Sequence, residues 1–168
     1  GIAAAQEIGQ TRTEAANLSL LGVTHFFCLD FDAALAELER SIDLSHRIGH
    51  LRAEFIARSG IEQVLFQRGE LVKCRAHYEV SRELIDRMDA QVFWGHRWEK
   101  AARIAVLEGD EKGALTKFQK AAEISRKTSF KFVGPRVTAH AALFVKNFEC
   151  ARKLIDETLS DLSKGALG

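Results

Sequence analysis

Two Cys–His pairs have the spacing that comes nearest to a metal-ligand motif. They are His25-x-x-Cys28 and Cys74-x-x-His77. Two thiolates and two imidazoles would suit tetrahedral zinc. However, the long segment between the pairs matches no zinc-binding spacing, and cysteine commonly packs as a small apolar side chain. We therefore expect Cys74 to point into a core and the chain to require no metal or other cofactor.

Motifs for enzymatic chemistry are missing from the sequence. It has no Gly-x-Ser-x-Gly nucleophile elbow, no glycine-rich phosphate-binding loop and no His-Glu-x-x-His motif. Acidic side chains occur in mixtures with basic ones, as in Glu37-x-Glu39-Arg40, which is typical of a solvated helix face. We expect the chain to have no catalytic activity of its own.

The two tryptophans form the most distinctive aromatic cluster. Trp94 and Trp98 lie four residues apart, after Phe93 and beside His96 and Arg97. On a helix this spacing places both rings on one face. Burial in a core is the favoured interpretation. The alternative is that one ring is partly exposed and binds a partner, since Trp and Arg are enriched at interface hot spots.

The elements that would position these residues are predicted to be helices. Apolar residues recur at helical spacing almost throughout, and the chain contains one proline, Pro135. Glycine or asparagine at 49, 69, 109 and 147 separates the helical segments. The predicted helices are about Glu14–Cys28, Asp32–Arg47, Leu51–Gln67, Glu70–Arg87, Ala90–Glu108, Glu111–Lys127, Pro135–Lys146 and Phe148–Leu162.

The sequence repeats with a period of 40 residues. Gly9 and Gly49 occupy one phase of the period, and Gly69 and Gly109 occupy another. Such a period indicates a solenoid in which each helical hairpin buries its apolar face against its neighbours. We expect a single array with repeats at 9–48, 49–88, 89–128 and 129–165. Residues 1–8 would then end a preceding repeat, and the chain would be a fragment of a longer protein.

The second helix of each repeat carries a small–large–small triplet at i, i+4 and i+7. The triplets are Ala34-Leu38-Ser41, Cys74-Tyr78-Ser81, Ala114-Phe118-Ala121 and Ala151-Ile155-Thr158. This pattern resembles the tetratricopeptide repeat, in a long variant similar to that of maltose-regulator-type activators and some cyclase-associated regions. The resemblance implies an all-α fold, a right-handed α-solenoid of about four helix-turn-helix repeats. HEAT-type repeats rank second, because only Pro135 could serve as their first-helix proline.

The resemblance also implies a peptide-binding groove lined by the first helices. Its residues would be Phe26, Phe27, Gln63, His96, Lys100, Arg103, Arg136 and His140. The groove would be apolar at one end and basic at the other. Arg103 and Arg136 could pair with a partner's carboxylate. The family's chaperone-tail clamp is not supported, because its positions read Ser19, Val23, Gly60, His96 and Lys100.

Composition limits the partners. The formal net charge of +1 gives no electrostatic case for nucleic acid, and no apolar run is long enough to cross a membrane. Three scattered cysteines favour a reducing cytoplasm over a disulfide framework. The expected partner is a protein or peptide, and exposed array ends could also self-associate.

We expect a binding scaffold within a larger, bacterial signalling or regulatory protein. The alternative is a ligand-sensing domain that controls a linked nucleotide cyclase or DNA-binding output domain.

Overall fold

The computed structural model describes residues 2–127 and, beyond them, residues 148–149, 152–153, 156 and 160. This part of the chain is helical and contains no strand, which confirms the all-α prediction for it. A short 3-10 turn at Gln91–Phe93 precedes the fifth helix. The helices are α1 (Ile2–Phe27), α2 (Phe31–Arg47), α3 (Leu51–Gln67), α4 (Leu71–Met88), α5 (Trp94–Leu107) and α6 (Glu111–Lys127). The predicted helix 135–146 and most of 148–162 lie outside the described residues.

The chain divides into two compact units, Gly1–Met88 and Asp89–Gly168. In the first unit, α1 packs against α2 and α3 packs against α4, so each pair forms a helical hairpin. The two hairpins join through contacts of α3 with both α1 and α2. In the second unit, α5 packs against α6 as a hairpin of the same design.

The three described hairpins turn in the same way. Two backbone hydrogen bonds close the end of each first helix. The residue with positive φ and the residue after it donate their N–H groups to carbonyl oxygens of the last helical turn. The positive φ falls at Leu29, Gly69 and Gly109, which are one period apart. Asp30 and Asp110 then start the second helices, and their Oδ1 atoms accept from the backbone N–H of residues three further on. The 40-residue period of the sequence therefore corresponds to a turn that recurs every 40 residues in the structure.

The small residues of the triplets allow the helices to approach closely. Ala34, Leu38 and Ser41 are fully buried in the first unit, and Leu38 contacts the faces of Gly22 and Gly60. In the second unit Ala114, Phe118 and Ala121 are buried against alanines of α5. The remaining described triplet contains buried Cys74 and Ser81, but Tyr78 is half-buried. The fourth triplet lies outside the described residues.

Glu62 departs from this pattern. It occupies the position held by Gly22 and Ala102 in the neighbouring repeats, and it is buried. Ser81 donates from Oγ to Glu62 Oε1 at 2.5 Å, and Cys74 Sγ lies 3.7 Å from the carbonyl oxygen of Glu62. A buried carboxylate needs a donor such as the Ser81 hydroxyl, because its desolvation is otherwise unfavourable.

α1 is longer than expected. It begins at Ile2 and runs through Gly9 without a turn, whereas Gly49 at the same phase has a φ of 65°. One glycine inside a helix costs only about 1 kcal/mol, so Gly9 is compatible with a continuous helix. None of the helices that the structure describes combines the length and the apolar character needed to cross a membrane.

Candidate partner-binding surface

An aromatic cluster lies where α1 turns into α2. Phe26 stacks on Phe31 with ring centroids 5.9 Å apart, and Phe27 meets Phe26 edge-on at 5.4 Å. The Arg68 guanidinium lies 5.8 Å from the centroid of the Phe31 ring and donates from Nη2 to Asp32 Oδ1 at 2.7 Å. The partly buried rings therefore support Phe27, which is 73% exposed. We call Phe26, Phe27, Leu29 and Phe31 the aromatic turn cluster.

Leu29 extends the aromatic turn cluster into solvent. It is 75% exposed and has a φ of 63°, at the position where the next two repeats place Gly69 and Gly109. A left-handed backbone costs a residue with a Cβ roughly 1–2 kcal/mol relative to the right-handed region. Neither backbone conformation nor burial accounts for leucine at this position. Contact with a partner would account for it.

A short stripe on α1 continues this exposed apolar surface. Leu20, Thr24 and Phe27 follow the i, i+4, i+7 spacing that aligns side chains on one helix face, and all three are exposed. Thr24 directs its hydroxyl back to the Leu20 carbonyl at 2.9 Å, so its methyl group can face outward with the two apolar neighbours. Leu21 beside the stripe is also exposed.

Gln63, the predicted groove residue of the second repeat, has limited freedom. Its side chain is half-buried, and Nε2 lies 3.5 Å from the carbonyl oxygen of Ser59, one turn earlier on α3. The Ser59 hydroxyl in turn donates to the Phe55 carbonyl at 2.6 Å. This face of α3 is polar, but its groups bond largely to its own helix.

The basic groove residues of α5 are engaged by a buried glutamate. Arg103 donates from Nη2 to Glu99 Oε1 at 2.9 Å, and His96 Nδ1 lies 3.4 Å from Glu99 Oε2. Glu99 and Lys100 are both buried. These side chains were expected to face a groove, but the structure directs Arg103 and His96 toward an internal carboxylate. Arg136 and His140 lie outside the described residues.

The tryptophans are more exposed than a core position would leave them. Trp94 and Trp98 are 41% and 37% exposed, whereas Phe93 is buried. The favoured expectation of burial is therefore wrong for the two rings, and the alternative of partial exposure holds for both. They occupy the period positions of Glu54 and Arg58, which form an ion pair on α3.

Three buried glutamates were not anticipated, because acidic residues were expected on outer faces. Glu54, Glu62 and Glu99 are all buried. Two of them have a feature that is visible in the sequence, an arginine four residues later. Arg58 donates a hydrogen bond to Glu54, and Arg103 donates one to Glu99. An i, i+4 pair is usually a surface feature. The spacing therefore indicates the pairing but not the burial.

The Cys–His pairs do not form a metal site in the described residues. Cys28 is exposed and Cys74 is buried. His25 Nδ1 lies 3.9 Å from Asp30 Oδ2, on the turn that follows α1. Within the described part of the chain, no three His, Cys, Asp or Glu side chains come together in a way that could hold a metal ion.

Comparison with known proteins adds no family to this description. No protein-family model matches the chain. No curated protein matches it either.

Proposed function

We propose that the chain is a tetratricopeptide-like protein-binding module without catalysis of its own. Its hairpins would stack into a right-handed solenoid and serve as a scaffold within a larger, bacterial signalling or regulatory protein of the cytoplasm. Repetition of the same turn at Leu29, Gly69 and Gly109 supports equivalent hairpins. The contacts of α3 with both helices of the first hairpin support stacking within the first unit.

One observation carries the binding function. Phe27 and Leu29 are both about three-quarters exposed, and Phe27 packs edge-on against the partly buried Phe26 ring, which stacks on Phe31. Large apolar side chains that are held rigid lose little entropy when a partner covers them. The aromatic turn cluster therefore suits a partner segment that contributes one or two large apolar side chains.

Under this proposal the basic residues contribute less to the binding energy than the apolar ones. Glu99 already engages the Arg103 guanidinium, so a partner carboxylate would have to compete with an internal one. We therefore assign most of the binding energy to apolar contacts at Phe27 and Leu29. Trp94 and Trp98 provide a second exposed aromatic pair, in the other unit.

The test is quantitative affinity capture from the source cells with the full chain as bait. Phe27→Ser and Leu29→Ser should each lose the main partner, because truncating an apolar hot-spot side chain costs about 2 kcal/mol or roughly 30-fold in affinity. Glu39→Ala, an exposed change on α2, is the matched control and should retain that partner. An identical partner set for all variants would contradict binding at this surface.

A further inference from the structure

An open pocket lies between the C-terminal end of α2 and the middle of α3, away from the aromatic turn cluster. Its volume is about 560 Å³. The lining residues are Ile42, Asp43, His46, Arg47 and Arg58. Four of the five can carry charge, so the lining offers mainly polar groups to a ligand.

Arg58 is held in place at the pocket by a buried carboxylate. Its Nε and Nη2 atoms donate to Glu54 Oε1 at 3.0 and 2.8 Å, and its side chain is only 17% exposed. His46 Nδ1 lies 3.5 Å from the other oxygen, Glu54 Oε2. The Nη1 group of Arg58 has no acceptor among the described residues. A fixed guanidinium with unused donors is preorganised for an incoming acceptor.

A second guanidinium is available at the same pocket. Arg47 is exposed and makes no hydrogen bond or ion pair with any described residue. Asp43 in the lining is likewise exposed and has no such partner. The pocket therefore has two sets of guanidinium donors and one available carboxylate.

The helical repeat keeps only part of this set of residues. One period later, Asp43 and Arg47 recur as Glu83 and Arg87. Ile42 and His46 become Arg82 and Asp86, and Glu54 and Arg58 become Trp94 and Trp98. The triplet positions keep their small–large–small pattern across the same interval. Residues that differ between repeats while the packing positions stay the same are not required for helix packing. They can therefore serve a purpose specific to one repeat.

We propose that this pocket binds a carboxylate group, carried by an acidic peptide side chain or by a small dicarboxylic acid. Guanidinium groups form paired hydrogen bonds with carboxylates. Asp43 and Glu54 offset the charges of Arg47 and Arg58. A carboxylate group with a single charge therefore fits the site better than phosphate, which concentrates up to two charges on one group. This site goes beyond the apolar surface proposed above and does not depend on it.

The test is an NMR titration of the full ¹⁵N-labelled chain at constant ionic strength. The probes are glutarate, the peptide Ac-Ala-Glu-Glu-Ala-NH₂, its Gln-Gln counterpart and inorganic phosphate. We expect saturable shifts of the amides around the pocket with the Glu-Glu peptide, and weaker effects with phosphate and the neutral peptide. Saturation by glutarate as well would identify a free acid as a sufficient ligand. Saturation by the peptide alone would identify a peptide as the source of the carboxylate.

Arg47→Gln is the decisive variant, because its exposed side chain can change without loss of internal bonds. We expect it to weaken the carboxylate interaction about tenfold, as for the loss of one charged hydrogen bond. Arg87→Gln, at the same phase of the next repeat, is the matched control and should bind normally. Arg58→Gln would leave Glu54 buried and unpaired, so the double variant Glu54→Gln/Arg58→Gln replaces it and should also lose binding.

Four results would overturn the proposal. They are no saturable shift with either carboxylate probe, equal binding of the neutral peptide, equal binding of phosphate, and equal losses in Arg47→Gln and Arg87→Gln. None of these results bears on Phe27 and Leu29, so the pocket and the partner-binding surface are tested separately.

Discussion

Leu38 of α2 fills the space that the missing side chain of Gly22 leaves open on α1. A Cβ at Gly22 would lie 2.5 Å from Leu38 Cγ and 3.1 Å from the Ala34 carbonyl oxygen. Gly60 of α3 makes a similar approach to the other side of Leu38, at 2.8 Å for an added Cβ. One leucine therefore joins three helices, and the two glycines allow it to do so.

Gly22→Ala should lower the free energy of unfolding by about 1–3 kcal/mol, because the added methyl group forces Leu38 out of a packed site. Gly9→Ala is the control. Gly9 is exposed within the same helix with nothing near an added Cβ, so alanine there should raise stability by about 0.5–1 kcal/mol. Urea denaturation measures both changes. Equal effects at the two glycines would contradict the close packing at Gly22.

Ala114→Leu tests the corresponding contact in the second unit. Ala114 is buried beside Ala102, Ala105 and Phe118. The three extra carbons of leucine should therefore lower the free energy of unfolding by about 1–3 kcal/mol. Thr116→Leu introduces the same side chain at an exposed position of the same helix and should change stability by no more than about 0.5 kcal/mol. Chemical denaturation of the two variants gives the comparison. A neutral Ala114→Leu would show that the triplet register is wrong.

Leu29→Gly should raise the free energy of unfolding while it weakens partner binding. Glycine adopts the φ of 63° without the penalty of a Cβ, and the gain should be about 0.5–1 kcal/mol after the extra unfolded-state entropy. Leu29→Ala keeps a Cβ in the strained backbone and should leave stability nearly unchanged. Both variants should lose partner affinity. Full binding by the more stable Leu29→Gly would show that the exposed leucine has no binding role.

His50 should make stability depend on pH. Burial lowers its pKa from the usual value of 6.5, and the nearby charges of Arg12 and Arg52 lower it further. The unfolded chain therefore takes up a proton at His50 before the folded chain does. The contribution to stability is fully present above pH 6.5 and is lost as the pH falls through the lower folded pKa. It does not return on further acidification.

His50→Gln provides the comparison for this pH dependence. Denaturation of the wild-type chain and the variant between pH 7.5 and pH 5 should show a shallower fall in unfolding free energy for the variant. Other titrating groups affect both chains equally, so the difference isolates His50. Parallel curves would contradict the lowered pKa.

The sequence by itself determined the helical class, the hairpin turns and the packing positions. Each is a local property: glycine or aspartate at one phase sets a turn, and small residues at i and i+7 with a large one at i+4 set a packing face. The predicted span of α3 agrees with the structure at both ends. These features follow from the chain's own periodicity, because helix formation and capping depend on neighbours in sequence.

Tertiary packing decided which charged side chains were buried and which apolar ones stayed exposed. Glu37 and Glu54 both have arginines within one helical turn, yet only Glu54 is buried. Trp94 and Trp98 have the spacing of core residues but remain partly exposed. The spacing of residues in the sequence predicts which of them share a helix face. Whether another helix covers that face depends on contacts between segments far apart in the chain, which periodicity within one helix does not encode.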